Sequence, residues 1–409
     1  MVIIVGAGEV GKGILKKYYS NLKDCVFYDN DRRKWGTSIE GRKIITLTEF
    51  IEYAKNLESE IVVASKSASL HAFLKDVAPA CSIYLETNNV LKKIELEDLK
   101  KFDYINATEV GISNLQKHIE RAKQLKESGD FLAYEHAMRY IDFKKEHLKL
   151  PEISSIEFTN NCNLKCPNCP NATLSFHKGF ISDDVFYEAL KYVPPYQKDT
   201  VAVHCMGEPL LHPKLIEYLT AMSKRKINIC ISTNGLLLTE ELGRKILDIF
   251  SSLDRTVLYI SFHVKKSVEN WLKFTKLVEA YKIEGLDFYG QVLEHNEEEA
   301  HAWLKELGIE NPHEHPYIRH ITSHSWGGNV EGRKVEYSDI EVNNRIRVCY
   351  YLRNRKVAVM WDGQLRGCCY DSNATQKCGN IFDFANADID PYGYELCRCC
   401  DPDWLTGYQ

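Results

Sequence analysis

Three cysteines stand close together in the stretch Cys162-Asn-Leu-Lys-Cys166-Pro-Asn-Cys169. A loop this tight does not allow disulfides among them, so the thiols are interpreted as ligands on one face of a single metal centre. An iron-sulfur cube has four iron corners, and three cysteines leave one iron open, as chemistry at a metal requires. A structural zinc loop is the alternative, although the next candidate ligand, His177, lies across an irregular segment.

The C-terminal tail carries a second concentration of thiols. Half of the 14 cysteines fall after residue 348. Strands are predicted over 356–361 and at Cys368 to Asp371. The hairpin that they form would bring Cys349 and Cys368 together, and a Cys-x2-Cys pair near the end of the sequence would raise the number of thiolate ligands to four. Such a set suits a saturated iron-sulfur cube or a zinc ion equally well. Two ligands are expected among the last three cysteines, which are Cys397, Cys399 and Cys400. Cys369 and Cys378 are not needed as ligands.

Length and composition are those of an ordinary protein of two or three domains, with 409 residues and a formal net charge of -5. Nothing in this charge calls for nucleic acid or an anionic membrane as a partner, and no segment approaches the ~20 apolar residues of a membrane span. The N-terminus runs directly into a glycine loop without a basic flank, so it is predicted to be a strand and the protein cytoplasmic. Cysteines in that compartment favour ligands over disulfides.

The N-terminal region reads as strand, glycine turn, helix and strand. Residues 2–5 and 25–28 are the strands, and Gly6, Gly8 and Gly11 lie in the turn, with Asp29 closing the second strand. In such a turn, two glycines allow close approach to a phosphate, the third lets the helix pack, and the acid holds a ribose hydroxyl. A nucleotide is therefore predicted here, the alternative being a domain that has lost its ligand.

Alternation of strands and helices continues to residue 105 and predicts a Rossmann-like parallel sheet over 1–105. The further elements are strands at 43–46, 61–64 and 82–85 and helices at 47–56 and 67–77. A charged helical pattern over 109–148 predicts a helical linker at 106–150, and Pro151 marks the next boundary.

From 151 to 345 the chain alternates again, and polar groups follow successive predicted strands. The strands fall at 153–158, 200–204, 227–231, 258–262 and 288–293. A glycine beside an acid at a strand end offers backbone acceptors and a carboxylate for an ammonium group, and short hydroxyl and amide side chains suit ribose hydroxyls. The candidates are Met206, Gly207, Glu208, Pro209, Ser232, Thr233, Asn234, Ser261 and His263.

A segment rich in histidine follows, containing His313, His315, His320 and His324. No helical or strand spacing brings the four together, so a metal role is not expected. The segment is instead predicted to be a loop in which Trp326 and some of these histidines line a pocket.

The Cys-x3-Cys-x2-Cys spacing resembles the signature of the radical S-adenosylmethionine (radical SAM) enzymes, and the later motifs occur in that family's order. The resemblance implies a partial (β/α)6 barrel over 151–345 and a [4Fe-4S] cluster on Cys162, Cys166 and Cys169 whose open iron chelates S-adenosylmethionine. The stretch Met206 to Pro209 is similar to the family's Gly-Gly-Glu-Pro motif, with Met206 replacing the first glycine. That motif contacts the cofactor's amino group. By the same resemblance, Ser232 to Asn234 lie beside the ribose, and Ser261 and His263 near cofactor or substrate.

The C-terminal tail also resembles a domain known from this family. The pattern Cys349-x13-Gly-x4-Cys368 resembles the start of the family's auxiliary-cluster domain, and Cys397 with Cys400 looks like its shortened, single-cluster version, the twitch domain. This implies one auxiliary [4Fe-4S] cluster within a small hairpin domain over 346–409. The longer SPASM version needs three more downstream cysteines, which the sequence lacks. The N-terminal domain resembles those found on bacterial enzymes of sugar and polysaccharide biosynthesis.

Together, these resemblances imply an enzyme that uses a 5'-deoxyadenosyl radical, with reduced flavodoxin or ferredoxin as electron donor. The predicted reaction is oxidation or related modification of a small carbohydrate-like metabolite, such as a sugar, nucleotide sugar or aminocyclitol. Maturation of a ribosomal peptide is one alternative, and a non-catalytic redox or nucleotide sensor is another. No general base can be assigned, because Cys369 occupies the slot where relatives place an acid and the nearest acid is Asp371.

Overall fold

The chain divides into two compact units in the computed structural model. The first comprises Met1–Val110, Val335–Arg355 and Asp390–Gln409, and the second comprises Gly111–Lys334 and Lys356–Ile389. The structure describes residues 1–29, 34–55, 59–64, 74, 78, 80–87, 90–96, 115–148, 150–173, 177–330, 337, 342, 349–373, 375–376, 378–389 and 394–401.

The first unit contains a seven-stranded sheet in the order β3-β4-β2-β1-β5-β6-β7. Its central five strands are parallel, as predicted, and β3 and β7 add antiparallel edges. The strands are β1 (Val2–Val5), β2 (Cys25–Tyr28), β3 (Ser38–Ile39), β4 (Arg42–Ile45), β5 (Glu60–Val63), β6 (Ser82–Thr87) and β7 (Val90–Ile94). Helix α1 (Glu9–Tyr18) lies between β1 and β2, and helix α2 (Leu47–Ala54) lies between β4 and β5.

Strand β1 is buried on both of its faces. Ile3 and Val5 belong to one apolar cluster, and Val2 and Ile4 belong to another. An unbroken apolar run is typical of a parallel strand covered on both sides, which explains why this strand could be predicted. The short strand β7 was not predicted, because its side chains are mostly exposed. The helix predicted at 67–77 lies outside the described residues except for Leu74.

The second unit contains an eight-stranded sheet in the order β13-β12-β11-β10-β9-β8-β14-β15. Strands β8 to β13 follow one another in parallel with helices between them, as a partial (β/α)6 barrel requires. They are β8 (Glu152–Ile156), β9 (Val201–Ala202), β10 (Ile229–Thr233), β11 (Thr256–Ser261), β12 (Leu286–Leu293) and β13 (Ile318–Ile321).

Helices of the second unit alternate with these strands. They are α3 (Phe131–Glu146), α4 (Asp183–Lys191), α5 (Leu215–Lys224), α6 (Glu240–Phe250), α7 (Lys265–Tyr281) and α8 (Glu297–Glu306). Residues 115–127 are also helical, in the predicted linker region. Helix α6 begins at Glu240, because the Thr239 hydroxyl accepts a hydrogen bond from the Leu242 N–H and caps its first turn.

The tail hairpin joins the second sheet. Strand β14 (Lys356–Val359) pairs in parallel with β8, and β15 (Leu365–Arg366) pairs antiparallel with β14. This pairing covers the edge of β8 that would otherwise be open. The buried Lys356 fastens it, because its Nζ lies 2.7 Å from Glu152 Oε1 and 3.0 Å from Asp199 Oδ2.

Two elements of this unit differ from the sequence prediction. The predicted loop after residue 312 contains strand β13, which is hard to recognise because Arg319 and His320 interrupt its apolar residues. The segment Cys368 to Asp371, predicted as a strand, is a turn closed by a hydrogen bond from the Asp371 N–H to the Cys368 carbonyl.

Helix α9 (Tyr350–Arg353), in the first unit, is a single turn.

No helix among the described residues combines the length and apolar character that crossing a bilayer demands.

Candidate metal and cofactor site

The three-cysteine loop follows β8, and Cys162, Cys166 and Cys169 are half-buried with free thiols. A hydrogen bond from the Cys169 N–H to the Cys166 carbonyl, 3.2 Å, closes a turn between two of them. Burial, with smaller effects of the neighbouring thiols of Cys169 and Cys162, raises the pKa of the Cys166 thiol to about 12. The three side chains are therefore close enough to act electrostatically on one another.

Three thiols on one loop are a donor set that an iron-sulfur cluster with one open corner can use. The described part of the chain contains one group of three or more His, Cys, Asp or Glu side chains whose ligand atoms all lie within 4.8 Å of one another. Cys162, Cys166 and Cys169 do not belong to that group. A tetrahedral zinc ion with Zn–S bonds of about 2.3 Å holds its sulfur atoms roughly 3.8 Å apart. An iron-sulfur cube spreads its ligands over several iron corners, so the donor set fits the predicted cluster.

Polar residues that were not predicted hold the cysteine loop at both ends. The buried side-chain amide of Asn171 donates to the carbonyl oxygens of Asn160 (2.8 Å) and Met206 (2.6 Å). Lys178 Nζ donates to Asn171 Oδ1 at 2.6 Å, and the Gly179 N–H donates to Asn160 Oδ1 at 2.8 Å. The available signal was the density of asparagine between residues 160 and 171, which holds five of them.

Gly207 allows the segment after β9 to approach the start of the cysteine loop. A Cβ atom at this position would lie 2.1 Å from the Thr159 carbonyl oxygen and 2.7 Å from that of Asn161. The Met206 carbonyl accepts from Asn171 and retains a second lone pair, which an ammonium group could use. Glycine is thus required for packing here, and contact of the Met206 carbonyl with an ammonium group stays a prediction.

The side chain of Glu208 joins two loops of the protein. It is 2 % exposed. Its Oε1 accepts hydrogen bonds from the Thr233 hydroxyl (2.7 Å) and the Leu210 N–H (3.0 Å), and its Oε2 accepts from the Asn234 N–H (2.7 Å). Burial raises the pKa of this carboxyl, and the hydrogen bonds oppose that shift. The carboxylate therefore ties the end of β10 to the segment after β9.

The end of β10 also reaches the cysteine loop. The Asn234 side-chain amide donates to Asn163 Oδ1 at 2.7 Å. On the neighbouring side, the Ser232 N–H donates to His204 Nδ1 at 3.0 Å. Burial lowers the pKa of His204 to about 4, so this imidazole is neutral near pH 7. The structure thus brings the predicted residues Glu208, Thr233 and Asn234 together beside the cysteine loop.

The end of β11 carries the remaining predicted residues of this region. The Ser261 hydroxyl donates to Gln291 Oε1 at 2.9 Å, across the paired strands β11 and β12. Burial, with a smaller effect of His295, lowers the pKa of His263 to about 4. These side chains are uncharged near neutral pH and can donate and accept hydrogen bonds.

Two buried acids of the second unit have different partners. Glu157, which was not predicted, follows β8 and accepts a hydrogen bond on Oε1 from the Met206 N–H at 3.0 Å. It is 0 % exposed, and burial raises its pKa to about 7. The carboxylate of Asp371 instead accepts hydrogen bonds from the Thr375 N–H and hydroxyl and from the Gln376 N–H, so it closes its own turn.

In the first unit the glycine turn has the predicted form. Gly6 has φ +113, and a Cβ on Gly11 would lie 2.0 Å from the Gly6 carbonyl oxygen, whereas Gly8 has open space around it. Asp29 Oδ2 accepts from the Ala7 N–H at 2.9 Å and lies 3.0 Å from Lys34 Nζ. The acid thus fastens the turn, and a nucleotide at this position stays a prediction.

The tail cysteines remain predicted ligands. Cys368 and Cys400 are buried, and Cys349 and Cys397 are half-buried. Cys397 Sγ accepts a hydrogen bond from the Tyr394 N–H at 3.3 Å. Cys368 belongs to the second unit and the other three to the first, so their grouping rests on the sequence.

The expectation that the histidines after residue 312 do not meet is wrong for two of them. His313 and His320 stack with ring centroids 3.9 Å apart, and both lie beside His301 and Glu297 of α8. The contact depends on β13, which the sequence did not reveal. His315 packs instead against Trp271, and His324 packs against Trp326 and Tyr370.

Comparison with known proteins identifies the central part of the chain. Residues 156–322 match the model of the Radical SAM superfamily, so this region is a radical SAM domain. The tungsten-containing aldehyde ferredoxin oxidoreductase cofactor-modifying protein of Pyrococcus furiosus is 28% identical over 116 residues, 28% of this chain. The match spans about a third of that relative, 32% of its length.

Solved structures of two proteins are similar over larger parts of the chain. BtrN in complex with AdoMet and 2-DOIA has a TM-score of 0.42 and 15% identity, covering 64% of this chain and 97% of that one. SuiB of Streptococcus suis bound to its precursor peptide SuiA has a TM-score of 0.41 and 14% identity, covering 76% and 89%. Likeness at this level carries no argument about the substrate.

Proposed function

We propose that this chain, in which residues 156–322 are a radical SAM domain, oxidises or otherwise modifies a carbohydrate-like metabolite by hydrogen-atom abstraction. The observation that carries the proposal is the junction at Glu208. Its buried carboxylate holds Thr233 and Asn234, and Asn234 in turn holds Asn163 of the cysteine loop. The predicted cluster ligands and cofactor contacts are thereby supported by one hydrogen-bonded framework.

Within this framework, Cys162, Cys166 and Cys169 would hold a [4Fe-4S] cluster with S-adenosylmethionine on its open iron. Bound there, the pair supplies a 5'-deoxyadenosyl radical when reduced flavodoxin or ferredoxin delivers an electron. The protein's own residues orient the reactants. The Met206 carbonyl is an acceptor for the amino group, and the Asn171 and Lys178 network fixes the loop that carries the cysteines.

Neutral hydrogen-bonding groups at the strand ends support a substrate rich in hydroxyl groups. Ser261 and Gln291 are already paired across β11 and β12, and His263 is uncharged near neutral pH. Hydroxyls of a sugar or aminocyclitol both donate and accept, as these side chains do. This is a different chemistry from the apolar groove that an amphipathic peptide would need.

Oxidation of an alcohol accounts for the tail cysteines. Removing a hydrogen atom from the carbinol carbon breaks one C–H bond and forms 5'-deoxyadenosine. A carbonyl then forms when the hydroxyl proton leaves to water and one electron leaves the carbon. An auxiliary [4Fe-4S] cluster on Cys349, Cys368, Cys397 and Cys400, assigned from their order in the sequence, would supply the acceptor for that electron.

The test is an anaerobic turnover assay on protein reconstituted with iron and sulfide. With reductant and S-adenosylmethionine, the wild type should form 5'-deoxyadenosine, and Cys166→Ala should form none. A panel of sugars, nucleotide sugars and aminocyclitols, each deuterated at its carbinol carbons, should include one that transfers deuterium into 5'-deoxyadenosine and yields a carbonyl product.

Other outcomes would select the alternatives. Deuterium transfer only from peptides would replace the carbohydrate substrate by a peptide. An intact S-adenosylmethionine pool under strong reductant, despite a full iron content, would contradict the enzymatic proposal and favour a redox sensor.

A further inference from the structure

A separate group of metal-binding side chains lies at helix α8 and strand β13. Glu297 and His301 are one turn apart at the start of α8, His313 lies in the short turn after the helix, and His320 lies in β13. One ligand atom from each of the four lies within 4.8 Å of those of the other three. Three imidazoles and one carboxylate are donors that suit zinc and similar divalent transition metals.

The distances from Glu297 to the three imidazoles match ligands around one ion better than hydrogen bonds, whereas His301 and His320 lie at hydrogen-bond distance from each other. Glu297 Oε1 lies 3.8 Å from His301 Nε2, 3.9 Å from His313 Nε2 and 3.7 Å from His320 Nε2, which is too long for a hydrogen bond. His301 Nε2 and His320 Nε2 are 2.8 Å apart. Tetrahedral zinc with bonds of about 2.0–2.1 Å separates its ligand atoms by roughly 3.4 Å, close to the middle of this range.

This group lies on the opposite face of the sheet from the residues assigned to the substrate. In the pairing of β12 with β13, His320 stands beside Val292, and Arg319 stands beside Gln291. Because successive side chains of a strand alternate in direction, His320 faces away from Gln291 and its partner Ser261. The α8 residues Glu297 and His301 reach His320 and so share its face.

We propose that Glu297, His301, His313 and His320 bind one divalent transition metal ion of the zinc type. The ion would fasten the start of α8 to β13, the last strand of the parallel sheet, and so close the chain between residues 297 and 320. The side chains are 25% to 66% exposed, which leaves a path for the ion from solvent. This site is independent of the radical chemistry, and its role is structural.

The test uses the full chain, reconstituted anaerobically with iron and sulfide and then treated with EDTA to remove loosely held metal. Co²⁺ is the spectroscopic probe and Zn²⁺ the competitor. The wild type should bind Co²⁺ with visible d–d absorption and without a thiolate charge-transfer band. His320→Ala and Glu297→Gln should each weaken binding at least about 10-fold, the lower end of what loss of a supporting residue costs a metal site.

His315→Ala is the matched control, since it removes a histidine of the same segment that lies outside the group, and it should bind Co²⁺ as the wild type does. Glu297→Gln keeps the shape of its side chain, so it remains informative if His320→Ala fails to fold. Equal Co²⁺ affinity in wild type, His320→Ala and Glu297→Gln would overturn the proposal. A thiolate band that disappears in Cys166→Ala would also overturn it, by placing the ion at the cysteine loop.

Discussion

Glu208 concentrates three hydrogen bonds on one buried carboxylate. In Glu208→Gln one acceptor oxygen becomes an N–H₂ group that faces the N–H of Asn234, or the donors of Leu210 and Thr233. Leaving a buried donor unsatisfied costs about 1–3 kcal/mol. We therefore expect the free energy of unfolding to fall by about that amount, and the affinity for S-adenosylmethionine to fall with it, because the end of β10 is no longer held.

Urea unfolding and equilibrium binding of S-adenosylmethionine measure these two effects. Glu241→Gln is the control, because Glu241 is exposed on α6 and pairs only with Lys245 among the contacts of the described residues. A surface change of this kind is expected to stay within about 0.5 kcal/mol. Equal stability of Glu208→Gln and the control would contradict the structural role of Glu208.

Glu157 makes stability depend on pH. Burial raises the pKa of Glu157 from 4.5 to about 7, while the Met206 N–H and the charge of Arg366 act in the other direction and Asp362 adds to the rise. The unfolded chain therefore releases this proton at lower pH than the folded chain does. Its contribution to stability is full below pH 4.5 and is lost as the pH rises through about 7.

The lost contribution is on the order of 3 kcal/mol, from the size of the pKa shift. Glu157→Gln removes the ionisation, so we expect its free energy of unfolding to decline less than that of the wild type between about pH 5 and about pH 8. Urea denaturation at both pH values compares the two proteins. Parallel pH profiles would show that Glu157 does not carry this dependence.

At the scale of single residues, a candidate site whose residues are neighbours in the sequence could be predicted. The side chains that hold this site in place through contacts with distant residues could not. Cys162, Cys166 and Cys169 are recognisable as candidate ligands because three thiols share one loop. Glu157 and Asn171 are not, since their roles depend on contacts with Met206, which is 49 and 35 positions away. Nothing in their immediate neighbours distinguishes a buried carboxylate or amide from an exposed one.

At the scale of elements, the turn from β1 to α1 sets the packing of the first unit. A methyl group on Gly11 would collide with the Gly6 carbonyl and touch the ring of Phe27, whereas one on Gly8 would meet open space. We expect Gly11→Ala to destabilise the protein by about 1–3 kcal/mol, as overpacking does.

Gly8→Ala is the matched control in the same turn. It lies at the start of α1 with φ -95, which alanine also adopts, so it should cost less than about 1 kcal/mol. Thermal unfolding of both variants measures the difference. If the two variants lose the same stability, the close approach of α1 to β1 is not what requires glycine at position 11.

The elements that could be predicted share a strong hydrophobic signal. Strand β1 is apolar at every position, and helix α6 has both a cap and an apolar stripe. Strand β13 has neither feature, and its assignment depends on pairing with β12. The histidine group at α8 was missed for the same reason, because only that pairing places His320 beside His301.

At the scale of the whole molecule, the chain passes repeatedly between its two units. After Lys334 it returns to the first unit for Val335–Arg355, adds Lys356–Ile389 to the second, and ends in the first. Sequence order alone predicts a continuous tail domain over 346–409, because it contains no information on which sheet the hairpin joins. The parallel pairing of β14 with β8 is a contact across about 200 residues, beyond any local pattern.

The iron content of the whole protein tests the predicted pair of clusters. Two cubes require about eight irons and eight sulfides per chain, and Cys166→Ala and Cys368→Ala should each reduce both to about four. The two variants should differ in chemistry, because Cys166→Ala loses the cluster that S-adenosylmethionine needs, whereas Cys368→Ala keeps it and loses only the proposed electron acceptor. Formation of 5'-deoxyadenosine should thus persist in Cys368→Ala while the carbonyl product disappears. Cys81→Ser, at a half-buried thiol that donates to the Ala54 carbonyl, should retain the full iron content. If the wild type contains about four irons and Cys368→Ala contains the same number, the prediction of an auxiliary cluster is wrong. The assignment of the radical SAM domain would not be affected.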